Sequence, residues 1–221
     1  MPSTYRPRVK ICCISSEQEA LEAIRGGADA LGLVGFMPSG PGIITDEQIQ
    51  AIARRVPPPV ATFLLTSETK ASEIIRHQQR VRTNTLQIVD ALTMGTYQDI
   101  RTALPEVKLV QVIHVVNEAS VDEAVRVAEQ VDALLLDSGN PHLAVKELGG
   151  TGRVHNWQLS RAIREQVDTP VFLAGGLHAG NVREAIETVE PFGLDLCSGV
   201  RTDGKLDIQK LDAFFEAAGI V

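Results

Sequence analysis

The stretch Val107–Ser138, VKLVQVIHVVNEASVDEAVRVAEQVDALLLDS, decides the fold. Val107–Val115 is an apolar, β-branched run of strand length, Val121–Gln130 spaces its apolar residues as an amphipathic helix does, and Ala133–Ser138 is a second strand-sized run built on three leucines. A strand, a helix and a strand in so short a segment make a βαβ unit, with the strands parallel and the helix outside the sheet. The same unit repeats in both directions. On the N-terminal side, strands Arg8–Cys13, Ala28–Gly35, Val60–Thr66 and Thr85–Asp90 alternate with helices Ser16–Arg25, one opened by Thr45-Asp46-Glu47-Gln48, Ala71–Val81 and Tyr97–Leu104. On the C-terminal side follow helix Trp157–Val167, strand Pro170–Ala174, helix Asn181–Val189, strand Gly193–Ser198 and helix Ile208–Ala218. Eight strand–helix pairs with nothing left over predict a closed (β/α)8 TIM barrel, one domain over residues 1–221. That is compact for a fold that usually takes ~250 residues.

Composition narrows the function classes. The 221 residues are 44% apolar and 22% charged with a formal charge of −7, which predicts a globular, mildly acidic protein. No basic field is available to neutralise a phosphate backbone, so nucleic acid is excluded as a partner. The N-terminus lacks the apolar core of a secretory signal, and the longest apolar runs are too short to span a membrane. Three cysteines, Cys12 and Cys13 adjacent, make no disulfide framework, and a cytoplasmic location is expected.

Chemistry-bearing residues gather at strand ends, on the face where barrels of this kind build their sites. In Lys10-Ile11-Cys12-Cys13, alternation puts Lys10 and Cys12 on one face and Val9, Ile11 and Cys13 on the other. Val9 and Ile11 suit the helix side, which aims Lys10 and Cys12 into the barrel. A cysteine beside a buried lysine has thiolate character. It is also a small apolar filler, and that plainer reading stays open. Asp137 follows three leucines at the end of the sixth strand, where a carboxylate is costly unless paired or used. Glycine-rich turns Gly149-Gly150-Thr151-Gly152, Gly175-Gly176 and Ser198-Gly199 follow strands six, seven and eight. Converging backbone N–H groups there suit a phosphate.

Taken in order, these motifs resemble the phosphoribosylanthranilate isomerase family of tryptophan biosynthesis. The likeness rests on Lys-Ile-Cys at 10–12, Gly-Ala-Asp-Ala-Leu-Gly at 27–32, Leu-Leu-Asp ending at Asp137, Gly-Gly-Thr-Gly at 149–152 followed by Trp157, Ala-Gly-Gly-Leu at 174–177 with Asn181-Val182, and Asp195 leading to Ser198-Gly199-Val200. It spans nearly the whole chain. The resemblance implies an Amadori rearrangement of an aminoaldose phosphate to an aminoketose phosphate, with Asp137 as general acid and Cys12 as general base. It also implies phosphate or substrate contacts from Lys10, Gly150, Thr151, Gly152, Gly175, Gly176, Ser198 and Gly199. It calls for no metal and no cofactor.

The departures fall at the other end of the substrate. Where the family has Ser-Pro-Arg after strand two, this chain has Gly40-Pro41-Gly42; where it has Gln-Leu-His-Gly, this chain has Gln87-Ile88-Val89-Asp90. The glycine after the catalytic cysteine is Cys13, and Phe-Asp before Trp157 is His155-Asn156. A lost hydrogen bond to a charged group is worth roughly 1.5–3 kcal/mol. His114, at the end of strand five, and His155 are candidate replacement contacts, while His77 is expected on a helix surface. The histidines contain no close pair of metal-ligand spacing. The alternatives are a family member reassigned to another sugar phosphate and a non-catalytic barrel that binds a phosphometabolite. A monomer or a homodimer is expected.

Overall fold

The computed structural model describes residues 6–139, 152 and 154–220. Eight parallel strands close into a barrel in chain order: β1 (Arg8–Ile11), β2 (Ala30–Val34), β3 (Ala61–Thr66), β4 (Thr85–Ile88), β5 (Lys108–His114), β6 (Ala133–Asp137), β7 (Val171–Leu173) and β8 (Gly193–Leu196). β8 pairs back onto β1 with Ile11 opposite Leu196. The helices α1 (Glu17–Arg25), α2 (Asp46–Arg55), α3 (Ala71–Val81), α4 (Tyr97–Ala103), α5 (Ala119–Ala128), α6 (Trp157–Gln166), α7 (Val182–Val189) and α8 (Ile208–Ala218) alternate with them. The predicted TIM barrel is therefore the observed one. No helix among the described residues is long and apolar enough to cross a membrane.

Strand alternation divides the apolar residues into two cores. Val9, Ile11, Leu134 and Leu136 belong to the layer between strands and helices. Cys12, Ala30, Phe63, Val112, Leu135 and Phe172 fill the barrel interior. Strand parity thus sends Lys10, Cys12 and Asp137 inward. Helix starts follow local chemistry: Thr45 and Gln48 form a reciprocal capping box on α2, and Asp207 caps α8 through Lys210 N.

Two strands end earlier than their apolar runs. β1 stops at Ile11 because Cys13 takes a left-handed backbone, φ 63°. β8 stops at Leu196 because Ser198–Val200 winds into a 3-10 turn. A short hairpin, β9 (Arg201–Thr202) with β10 (Lys205–Leu206), precedes α8. Its signal was Asp203-Gly204, a dipeptide suited to the positive φ values of 51° and 77° found there.

His77 corrects the surface expectation. It is buried on α3, with Nδ1 hydrogen-bonded to Thr66 Oγ1 at 3.1 Å and Nε2 to Asp46 Oδ1 at 3.0 Å. The ring ties the end of β3 to the first turn of α2, which a single helix's pattern does not reveal.

Candidate active site

A pocket opens at the C-terminal mouth of the barrel, lined by Cys12, Cys13, Met37, Gln87, Asp137, Gly152, Gly175, Gly176, Asp195, Cys197 and Ser198 among others. Cys12 and Asp137, carried by β1 and β6, thus face one space, with the turns after β7 and β8 beside them. Asp137 is buried and its Oδ1 accepts from Ser138 N at 2.7 Å. Gly150 and Thr151 lie outside the described residues.

Lys10 sits behind Cys12 and is absent from the pocket lining. It is fully buried, its Nζ 2.8 Å from Asp195 Oδ1 and 5.3 Å from the Phe63 ring centroid. The ammonium is thus paired with the Asp195 carboxylate. Burial opposes the Lys10 charge, and the Asp195 carboxylate overrides it and raises the lysine's affinity for its proton. The space for this arrangement comes from Gly32 on β2. A β carbon there would stand 2.7 Å from Cys12 Sγ and 3.0 Å from Lys10 Nζ.

The hydrogen bond with the Cys13 thiol draws the Cys12 thiol below its ordinary range; burial works against that and the Lys10 ammonium adds to it. Cys13 is the residue that alternation misplaced. Its positive φ breaks the two-residue period, so its side chain enters the same pocket as Cys12 instead of the opposite face. Arg201 holds this turn: its buried guanidinium donates to Cys12 O at 3.1 Å and Cys13 O at 2.6 Å, and pairs with Glu19 at 3.1 Å.

Cys13 also explains a departure in the neighbouring loop. Gly42 has φ +80°, and a β carbon on it would lie 2.5 Å from Cys13 Cβ. The side chains at positions 13 and 42 compete for one volume, so a cysteine at 13 goes with a glycine at 42. Among the described residues lining the pocket there is no lysine or arginine. Gln87 lines it, and its Oε1 is buried without a hydrogen-bond partner.

Neither histidine proposed as a substrate contact lines the pocket. His114 Nε2 donates to Val89 O at 3.0 Å, and the ring borders a separate cleft with Asp90, Asn117 and Glu123. His155 Nε2 bonds to Ser160 Oγ at 2.7 Å near the start of α6. Burial pushes His155 down to about 4, with the Asp137 charge opposing, so the ring is neutral at pH 7. Sequence reasoning missed Asp195 as the partner of Lys10, and Glu19 and Arg201 altogether. Asp195 lies inside β8 between Leu194 and Leu196, a carboxylate within an apolar strand and a signal that was available; Arg201 opens the short strand β9 and has no comparable signal.

A family model described as N-(5'phosphoribosyl)anthranilate (PRA) isomerase matches residues 9–217. N-(5'-phosphoribosyl)anthranilate isomerase of Methanocella arvoryzae is 33% identical over 210 residues, 95% of this chain and 96% of that protein. The Halobacterium salinarum protein of the same name is 35% identical over 215 residues, covering 96% and 95%. Among solved structures, phosphoribosyl anthranilate isomerase from Thermotoga maritima aligns with TM-score 0.79 and 29% identity, covering 97% of this chain and 100% of that one. A phosphoribosyl anthranilate isomerase in complex with reduced 1-(o-carboxyphenylamino)-1-deoxyribulose 5-phosphate aligns with TM-score 0.77 and 28% identity over the same shares.

Proposed function

Because the chain belongs to the N-(5'-phosphoribosyl)anthranilate isomerase family, we propose that it catalyses the aldose–ketose rearrangement of N-(5'-phosphoribosyl)anthranilate in tryptophan biosynthesis, with Asp137 as general acid and Cys12 as general base. The observation that carries this reading is the convergence of Cys12 and Asp137 on one pocket with the glycine-rich turns beside them. Asp137 protonates the ring oxygen of the furanose, the C1'–O bond breaks and a protonated Schiff base forms. Cys12, as thiolate, then removes the C2' proton, giving an enolamine that tautomerises to the aminoketose. Lys10 acts through Cys12: its fixed positive charge behind the sulfur favours the thiolate that accepts the proton.

The backbone at Gly152, Gly175, Gly176, Ser198 and Gly199 supports a phosphate site of the kind formed by the loops after strands seven and eight. Gln87 Oε1 is a ready acceptor for a substrate N–H or O–H. Cytoplasmic placement belongs to the same reading and is supported by three unpaired thiols.

The test is turnover of phosphoribosylanthranilate, followed by loss of its fluorescence, for the wild-type protein, Cys12→Ala and Asp137→Asn. Wild-type turnover that falls at least ~100-fold in each variant, within the range of general acid–base contributions, is the expected result. A Cys12→Ala protein that keeps its rate would remove the base from the scheme.

A further inference from the structure

Three nucleophilic side chains face this pocket, and the proposed chemistry uses one of them. Cys12, Cys13 and Cys197 are all free, and all three line the pocket. The β1–β8 register sets Ile11 opposite Leu196, so the next level up brings Cys12 beside Cys197. The left-handed turn at Cys13 then turns its side chain back into the pocket that this pair lines, where its thiol donates to Pro41 O at 3.7 Å. Such a backbone costs a residue with a β carbon ~1–2 kcal/mol. It is held by Arg201 on the Cys12 and Cys13 carbonyls and accommodated by the missing side chain at Gly42. Neither Cys13 nor Cys197 itself gives or takes a proton in the proposed transfers.

We propose that Cys13 and Cys197 form a reversible oxidation site, joined by a hydroperoxide into a disulfide across the ends of β1 and β8 that stops turnover. Cys197 is the more exposed of the pair. Its thiolate sulfur attacks one peroxide oxygen, the O–O bond breaks, and the departing oxygen takes up a proton as alcohol, or as water when the oxidant is hydrogen peroxide. Cys13 sulfur displaces hydroxide from the resulting sulfenic acid, and the Cys13 proton leaves with that hydroxide as water. Two thiols are thus oxidised by two electrons in total and one peroxide bond is reduced by two; a dithiol reverses the change. The alternative bond, Cys12 to Cys13, would close a small ring across one planar peptide unit, which opposes good disulfide geometry. Cys13 and Cys197 come from separate strand ends and carry no such restraint.

The bond acts on turnover through Cys12. It consumes the Cys13 thiol hydrogen, and with it the hydrogen bond that favours the Cys12 thiolate. This effect rests on Cys12 as the base; formation of the bond does not.

The experiment exposes purified full-length protein to one equivalent of hydrogen peroxide, alkylates the remaining thiols with iodoacetamide and maps the peptides by mass. The expected product has lost two hydrogens, carries a Cys13–Cys197 crosslink, leaves Cys12 as the labelled thiol, and turns over at least tenfold more slowly until dithiothreitol restores it. Cys197→Ser, compared with its own untreated rate, should form no crosslink, and dithiothreitol should not restore whatever activity peroxide removes. A crosslink that contains Cys12, oxygen added to sulfur with no loss of two hydrogens, or a Cys197→Ser protein that is inactivated and rescued like the wild type would overturn the proposal. Peptide mapping reads the bond even in a protein that turns over no phosphoribosylanthranilate, so failure of the proposed activity is separable from failure of this inference.

Discussion

Competition between positions 13 and 42 makes a quantitative prediction. A β carbon placed on Gly42 stands 2.5 Å from Cys13 Cβ and 2.9 Å from Cys13 Cα, on a backbone with φ +80°. The left-handed conformation costs a substituted residue ~1–2 kcal/mol. Overpacking a closed site adds ~1–3 kcal/mol. Gly42→Ala should therefore destabilise the fold by about 2–5 kcal/mol. Cys13→Gly alone loses a buried thiol but relieves its own left-handed backbone, so it should shift stability by less than about 1 kcal/mol. In the double variant the contact with Cys13 Cβ is gone, while the backbone strain at 42 and the approach to Cα remain. The cost of Gly42→Ala should fall there by about 1–2 kcal/mol, within the usual range for coupled neighbours. Urea unfolding of the four proteins measures this as a shift in midpoint at constant slope. Costs that add to within ~0.5 kcal/mol would refute the steric account and leave Gly42 unexplained.

Two further outcomes follow from the buried charges. Asp195→Asn leaves the Lys10 ammonium fully buried without a counter-charge, and should destabilise the protein by about 3–5 kcal/mol in urea unfolding; a loss below about 1 kcal/mol would mean that the pair is not buried as described. The pH dependence centres on His155. Its affinity for a proton is lower folded, at about 4, than the ordinary 6.5 of the unfolded chain. Between these values the unfolded state binds more protons, so His155 reduces stability as pH falls from 6.5 toward 4 and has no further effect below. The expected loss is about 3 kcal/mol. His155→Phe removes it, so the stability of the variant relative to wild type should rise as pH falls through that window. A pH-independent difference would show that His155 titrates alike in both states.

Most of the fold was legible because its signals are local. Each strand and helix carries its own period, and eight βαβ repeats permit few topologies. Parity alone aimed Lys10, Cys12 and Asp137 inward, since Val9, Ile11, Leu134 and Leu136 claim the helix side. Boundaries failed where a backbone left its period, at Cys13 and at the 3-10 turn after β8.

The sequence by itself determined the barrel, the two residues proposed as acid and base, and the family to which they belong. Tertiary structure decided how those residues are tuned. Lys10 meets Asp195 185 residues away, and Glu19 meets Arg201 182 residues away, only because β8 closes onto β1. Cys13 shares a pocket with Cys12 only because its φ is positive, and that conformation depends on Arg201 holding both carbonyls and on Gly42 standing aside. Periodicity reports which face a residue takes within its own element. Partners brought together by closure of the barrel depend on the packing of elements distant in sequence, and no local pattern encodes that.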